Sequence, residues 1–147
     1  MTTRTLIVLC CALIALSATG FAQGKGRGIE LTLTSPKLLE VEPGRIVTAS
    51  YVVSNRTEST VELVARLDPT LQTRGWQSIG PGEQPIQLAA RSQSVRLATF
   101  VVPRNCPAGK YEIIYTVLSP TSSEIIAAEA FSVVVKPVIK LDAVIED

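Results

Sequence analysis

The residue types available for catalysis limit the chemistry that this chain can perform. The sequence contains no histidine, which removes the commonest general base and metal ligand and any Ser-His or Cys-His nucleophile. Nothing in the spacing of the acidic residues brings two carboxylates to the roughly 5–10 Å separation that glycoside hydrolysis requires. The candidates for such a pair are Asp68, Glu83, Glu112, Glu124 and Glu129. The residue inventory therefore predicts no enzyme activity, no cofactor and no metal site.

Cysteine is the remaining nucleophile. Cys10 and Cys11 lie inside an apolar N-terminal run, so Cys106 is the only cysteine in the rest of the chain and no internal disulfide is expected. Cys106 has two interpretations: a free thiol for intermolecular pairing, or a small and partly buried apolar residue. The absence of a neighbouring histidine favours the structural role, whereas the nearby Arg104 and Lys110 keep the reactive role open.

The N-terminal segment has the pattern of a secretory signal peptide. Arg4 precedes the apolar run Leu6–Leu16, and Gly20 and Ala22 supply small residues for cleavage after Ala22. A membrane span needs about 20 apolar residues, so an uncleaved anchor is the weaker interpretation. We therefore predict a signal peptide over residues 1–22, no transmembrane segment in the mature chain, and a periplasmic, outer-envelope or secreted location.

The charges beyond the predicted cleavage site are balanced. Arg4 is the only charged residue before position 23, which leaves 13 basic and 13 acidic residues in the remaining chain. A balanced charge argues against nucleic acid or an acidic membrane surface as the main partner. One domain of this length can bury a self-sufficient apolar core.

Alternating apolar residues predict strands along most of the chain. Residues 45–54 alternate with Val47, Ala49, Tyr51 and Val53 on one face, and residues 111–118 alternate in the same way. The first strand is interrupted at Ser35-Pro36, where we expect the chain to change partner strands. With Gly- and Pro-rich turns between them, the segments predict an Ig-like antiparallel β-sandwich of about seven strands.

The expected domain organisation follows from these patterns. Residues 23–28 form a Gly-rich lead-in that we expect to be flexible, and residues 29–136 form the sandwich. Residues 137–147 contain a further alternating run, which we interpret as a linker or as the start of a second domain that is absent from this sequence. A C-terminal extension, or a strand of the same sandwich, is the alternative.

The segment 101–117 predicts an architectural corner. Pro103 ends one strand, Gly109 permits a turn, and Tyr111 follows two residues later. In a tyrosine corner, the phenol hydroxyl bonds to the backbone a few residues upstream. We therefore expect these three residues to be structural.

The irregular segment 68–85 contains the only tryptophan. Arg74, Trp76 and Gln77 could form an interaction loop that stacks against a sugar, although a single tryptophan more often closes one end of a sandwich. Asn55, in the sequon Asn55-Arg56-Thr57, is expected to bond to turn backbone.

Between Val41 and Val117 the chain resembles the bacterial NEW3-type domains, Ig-like sandwiches of secreted glycosidases and cell-envelope proteins. The sequence departs from them at residues 89–92, where the family usually has a Pro-Gly turn. The resemblance implies a non-catalytic accessory or spacer domain and brings no ligand site with it. It is carried, in order, by Pro43-Gly44, Val53-Ser54-Asn55, Val61-Glu62-Leu63, Gly75-Trp76, Val101-Val102-Pro103 and Ala108-Gly109-Lys110-Tyr111.

The sequence thus predicts an exported accessory or spacer domain whose partners are other domains or envelope proteins, with glycans as a further candidate. Two alternatives stay open. A periplasmic chaperone or donor-strand partner would use the long apolar strand Ile125–Val135 to pair with another chain. A carbohydrate-binding module would use the loop around Trp76.

Overall fold

The computed structural model describes residues 28–139. The predicted signal peptide, residues 23–27 of the lead-in and the C-terminal residues 140–147 lie outside this range. The described part contains nine strands and one short helix. These are β1 (Ile29–Leu33), β2 (Leu38–Val41), β3 (Ile46–Asn55), β4 (Val61–Leu67), α1 (Thr70–Thr73), β5 (Gln77–Ser78), β6 (Glu83–Leu88), β7 (Gln93–Val101), β8 (Gly109–Leu118) and β9 (Ile125–Val135).

The strands form two sheets that pack face to face. One sheet has the order β1-β3-β7-β5 and the other has the order β2-β9-β8-β4-β6. The apolar residues of the two inner faces meet in one core, as in other β-sandwiches. The prediction of an all-β, Ig-like sandwich is therefore confirmed.

The interruption at Ser35-Pro36 separates two strands that belong to different sheets. β1 pairs antiparallel with β3, whereas β2 pairs parallel with the end of β9. The predicted change of partner is thus confirmed, and β2–β9 is the one parallel pair among the described strands of an otherwise antiparallel sandwich. The reason is that the chain crosses between sheets without reversing its direction, and Pro36 has no N–H to continue the first ladder.

The alternation in the sequence corresponds to the inner and outer faces of the sheets. Most of the alternating apolar positions of β3, β4 and β8 are buried, whereas Val61, Leu67 and Tyr111 are half-buried. Three aromatic rings join the two sheets at the centre: Tyr51 stacks on Tyr115 at 4.3 Å between ring centroids, and Phe131 contacts Tyr51 edge-on at 6.4 Å. The core therefore depends on packing across the sheets.

Two differences from the expected strands concern the segment 68–85. This segment, which was expected to be irregular, contains α1 and the two-residue β5, and β6 begins within it at Glu83. Pro85 is tolerated there because β6 lies at the edge of its sheet. Among residues 28–139, no helix is long and apolar enough to cross a membrane.

Candidate functional site

The loop that carries Arg74, Trp76 and Gln77 is organised by α1. The Asp68 carboxylate accepts a hydrogen bond from the Thr70 N–H at 2.9 Å and so starts this single turn. Gly75 follows with a φ of 75°, a left-handed conformation that glycine adopts without steric cost. The turn directs the Trp76 side chain inward, and the backbone N–H of Trp76 donates to the Leu71 carbonyl at 3.0 Å.

Trp76 lies in the core. Its side chain is only 2% exposed, and its ring lies 5.4 Å from Phe100 and 5.1 Å from Tyr111 between ring centroids. Arg74 and Gln77 remain exposed. A ring held between two aromatic neighbours offers no free face to a sugar, because stacking requires an exposed π-face. The geometry supports the alternative interpretation, in which Trp76 closes one end of the sandwich.

The corner predicted around Tyr111 adjoins Trp76. The Pro103 carbonyl accepts a hydrogen bond from the Cys106 N–H at 3.1 Å, and the Tyr111 hydroxyl donates to the Pro107 carbonyl at 2.8 Å. This is the backbone contact that a tyrosine corner makes. Gly109 is the first residue of β8. The corner and the α1 loop therefore meet through one pair of aromatic rings.

Cys106 is a buried residue of the same corner. Its side chain is 9% exposed, and its thiol lies 3.7 Å from the Pro107 carbonyl as a weak donor. The neighbouring Cys106 thiol, followed by burial, raises the pKa of Tyr111. These contacts support the structural interpretation of Cys106.

Replacing Tyr111 by phenylalanine is expected to lower the free energy of unfolding by roughly 0.5–1.5 kcal/mol, the net value of one hydrogen bond. The ring and its contact with Trp76 would be retained, so the variant isolates the hydroxyl. Urea unfolding of the two proteins measures the difference. A change near zero would show that the hydroxyl does not stabilise the corner.

A cleft of about 230 Å³ with a mixed polar and apolar lining opens beside the α1 loop. It contains two of the five candidate carboxylates, Asp68 and Glu83, together with Arg66, Gln72 and the edge of Trp76. The Arg66 guanidinium lies 3.6 Å from the Glu83 carboxylate, and the Asp68 carboxylate accepts a hydrogen bond from the Thr70 N–H. Both acidic groups are thus engaged in local contacts. Within the described range, no three His, Cys, Asp or Glu side chains cluster in a way that could hold a metal ion.

The stacked tyrosines in the centre of the core form a second polar feature. Tyr51 and Tyr115 are 0% and 3% exposed, and neither hydroxyl has a hydrogen-bond partner among the described residues. Burial, followed by the neighbouring Tyr115 and Glu129, raises the pKa of Tyr51. Burial also raises the pKa of Tyr115, which Arg96 opposes. Both phenols are therefore held in the neutral form.

This burial predicts a loss of stability at alkaline pH. The unfolded chain ionises its tyrosines near pH 10, whereas the folded chain keeps Tyr51 and Tyr115 protonated to higher pH. Above about pH 10 the unfolded state therefore binds fewer protons, and stability falls by up to about 1.4 kcal/mol per pH unit for each phenol. Below that pH these two groups contribute no dependence.

Urea unfolding at several pH values between about 8 and 11 measures this slope. The control is the double variant Tyr51→Phe/Tyr115→Phe, which keeps the ring stack and removes both ionisable groups. We expect a flatter profile for the control. Equal slopes in the two proteins would contradict the assignment.

The outer face of the four-stranded sheet is unusually apolar, a feature that the sequence-based prediction missed. Ile46, Val95 and Leu97 are 61%, 65% and 55% exposed. Val95 and Leu97 occupy alternate positions of β7, and the polar Ser94 and Arg96, on either side of Val95 in the sequence, lie on the inner side. This reversed alternation is the signal from which the exposed face could have been predicted.

Comparisons with known proteins support the fold and do not identify a function. No protein-family model matches the sequence, and no curated protein matches it. Among solved structures, the CARDB domain of PF1109 from Pyrococcus furiosus is 15% identical with a TM-score of 0.53, and the match covers 74% of this chain and 94% of that domain.

Two longer chains contain a similar domain. The chain of Escherichia coli α2-macroglobulin from domain MG7 to the C-terminus is 13% identical with a TM-score of 0.53, and 78% of this chain matches 17% of that one. A family 123 glycoside hydrolase from Clostridium perfringens is 9% identical with a TM-score of 0.53, and 76% of this chain matches 28% of it. At these identities the similarity establishes the sandwich fold alone.

Proposed function

We propose that this protein is an exported, non-catalytic accessory domain of the NEW3 type that acts as a rigid spacer for the chain segments at its two ends. The observation that carries the proposal is where the chain enters and leaves the sandwich. A domain that holds two segments apart needs these points at opposite ends, whereas an inserted domain brings them together.

β3 defines the distance between the two points. The Gly28 carbonyl accepts a hydrogen bond from the Arg56 N–H at 2.7 Å, next to the last residue of β3. At the other end of the domain, the Lys136 N–H donates to the Val41 carbonyl at 2.8 Å, and a short turn joins Val41 to the first residue of β3. Because β3 has 10 residues, the two points lie about 30 Å apart.

Two further observations support a spacer over the alternatives. β9 pairs with β8 along its length, so the strand is built into this sandwich and is not free to be donated to another chain; on its other side β2 pairs with Ser132–Val135. Trp76 is buried, which removes the ring on which a glycan would stack. In two of the structures with a similar fold, the corresponding region is a minor part of a longer chain.

A distance measurement tests the spacer role. Spin labels at Thr60→Cys and Lys136→Cys, in a Cys106→Ala background, report the separation of the two ends by double electron–electron resonance. We expect one narrow distribution near 30 Å, and the same distribution when reporter domains are fused to both termini. A broad distribution, or one that shortens in the fusion, would refute a rigid spacer.

Export is tested separately. We expect expression of the full sequence in a Gram-negative host to place a protein beginning at Gln23 in the periplasm or medium, as N-terminal sequencing would show. Full-length protein confined to the cytoplasm would refute the signal peptide. An Arg4→Glu variant is the matched control, because loss of the basic n-region should impair export.

A further inference from the structure

The outer edge of β7 is only partly covered. β5 pairs with β7 at Phe100 and Val101, and the Ile79 N–H donates to the Thr99 carbonyl at 2.8 Å. In the part of the chain that the structure describes, no strand pairs with Gln93–Leu97 on that side. This five-residue stretch, the open edge of β7, spans about 17 Å.

Two hydrogen bonds show which backbone groups point outward. The Asn55 N–H donates to the Ser92 carbonyl, so the backbone N–H and C=O groups of Ser92 and of the even-numbered residues after it point toward β3. The Thr99 carbonyl points toward β5. The backbone N–H and C=O groups of the other odd-numbered residues point to the same side, because the direction of these groups alternates along a strand. The N–H and C=O groups of Gln93, Val95 and Leu97 therefore point away from the sheet.

The edge strands β1, β2 and β6 carry features that discourage pairing, and the stretch of β9 that β2 leaves unpaired contains the charged Glu129. β1 has the Glu30–Arg56 ion pair at 2.7 Å, and β2 has the Glu40–Lys136 ion pair at 2.7 Å. β6 contains Pro85, which lacks an N–H. Charges and proline are the usual means by which edge strands avoid association. The open edge of β7 has neither on its outward face, where the exposed side chains of Val95 and Leu97 lie.

We propose that the open edge of β7 pairs antiparallel with the same edge of a second copy of this chain, about a two-fold axis at Val95. The outward backbone groups of Gln93, Val95 and Leu97 are placed symmetrically about Val95. In this register each outward N–H of one copy therefore meets an outward C=O of the other copy. Val95 faces Val95, and Gln93 faces Leu97, which gives about six backbone hydrogen bonds.

Neighbouring elements and charge disfavour other two-fold registers. An axis at Arg96 would set the two Arg96 side chains opposite each other and pair Gln93 with Thr99, and an axis at Ser94 would pair Leu97 with Arg91 in the turn. An axis shifted to Leu97 would pair Val95 with Thr99, whose carbonyl already accepts a hydrogen bond from Ile79. An axis shifted toward Arg91 meets the turn at residues 89–92, where the chain leaves the sheet. An isologous contact of this kind closes on itself and forms a dimer, not a fibre.

Charge also favours a second copy. Arg96 is the only charged residue between Gln93 and Leu97, and in this register it lies opposite Ser94 of the second copy. Like charges are therefore not directly opposed across the pair. The exposed Val95 and Leu97 side chains of both copies form one apolar strip across the joined sheet, which would extend from four strands to eight.

Sedimentation velocity over micromolar to millimolar concentrations tests the proposal, with protein purified after expression of the full sequence. We expect a concentration-dependent dimer, which Val95→Lys weakens by about tenfold or more because two ammonium groups then meet on the axis. Ile46→Lys is the matched control: it is equally exposed on the same sheet but lies on β3, away from the edge. It should dimerise like the parent.

A second variant gives a positive readout. Val95→Cys places two cysteines opposite each other in a hydrogen-bonded pair, whose Cα atoms lie about 5.5 Å apart, a spacing that a disulfide accepts. We expect mild oxidation to yield a covalent dimer, and Ile46→Cys to yield none. A protein that stays monomeric at every concentration, or a dimer that Val95→Lys leaves intact, would overturn the proposal. Either result leaves the spacer role standing, since that depends on the two ends of the domain.

Discussion

Replacing Trp76 by alanine is expected to lower the free energy of unfolding by about 3–5 kcal/mol, the usual cost of truncating a large buried aromatic side chain. Trp76 is 2% exposed and connects the α1 loop to Phe100 of β7 and Tyr111 of β8. Its removal would leave a cavity at the end of the sandwich and would detach the loop from the corner. Urea unfolding followed by circular dichroism measures the loss.

Two controls separate the buried ring from its exposed neighbours. Trp76→Phe retains an aromatic ring and is expected to recover part of the loss. Gln77→Ala changes an exposed residue beside it and should alter stability by less than about 0.5 kcal/mol. If Trp76→Ala left stability unchanged, the ring would not be part of the core, and a ligand-binding role for this loop would regain support.

The second large effect is expected at Asn55, the only buried polar residue of the described part, at 2% exposure. Its amide nitrogen donates to the carbonyls of Ser59 at 2.8 Å, Leu88 at 3.3 Å and Ala89 at 2.9 Å, and its amide oxygen accepts from the Thr57 N–H and hydroxyl. One side chain thus connects the loop after β3 to the end of β6 and the turn that follows it.

Asn55→Ala is expected to lower the free energy of unfolding by about 2–4 kcal/mol, because it leaves several backbone groups without partners. Asn55→Asp is the matched isosteric variant. It should cost at least as much, since a carboxylate cannot donate to the three carbonyls. Urea unfolding compares the three proteins. Full stability in Asn55→Asp would show that the donated hydrogen bonds contribute little. The same contacts leave no free amide hydrogen for a glycan at the Asn55-Arg56-Thr57 sequon.

The local patterns of the sequence were sufficient to predict most strands and their inner faces. In β3, Val47, Ala49, Tyr51 and Val53 alternate with smaller or more polar residues, and the structure buries all four. The reason is that a strand exposes alternate residues to opposite sides, so a buried face must appear as an alternating pattern. The pause at Ser35-Pro36 likewise predicted a change of partner, because proline removes a ladder donor.

The alternating pattern did not predict the faces of a strand whose apolar residues move from one face to the other along its length. In β7 the apolar residues change from the outward positions Val95 and Leu97 to the inward positions Ala98 and Phe100, so no single alternation describes the strand. This reversal was the signal for the exposed face, whereas the open edge became visible only when the short length of β5 was known. The length over which a neighbouring strand pairs with β7 depends on residues that are distant in sequence.

Trp76 also separates what the sequence predicts from what depends on the tertiary structure. The sequence by itself determined an all-β sandwich with an inventory lacking histidine, a corner at Tyr111 and a tryptophan on an irregular loop. Only the tertiary structure decided that the ring points inward between Phe100 and Tyr111, which is what makes it a core residue. The side of the loop that faces the core depends on the Gly75 turn and on strands elsewhere in the chain. Local sequence periodicity carries no information about such long-range contacts.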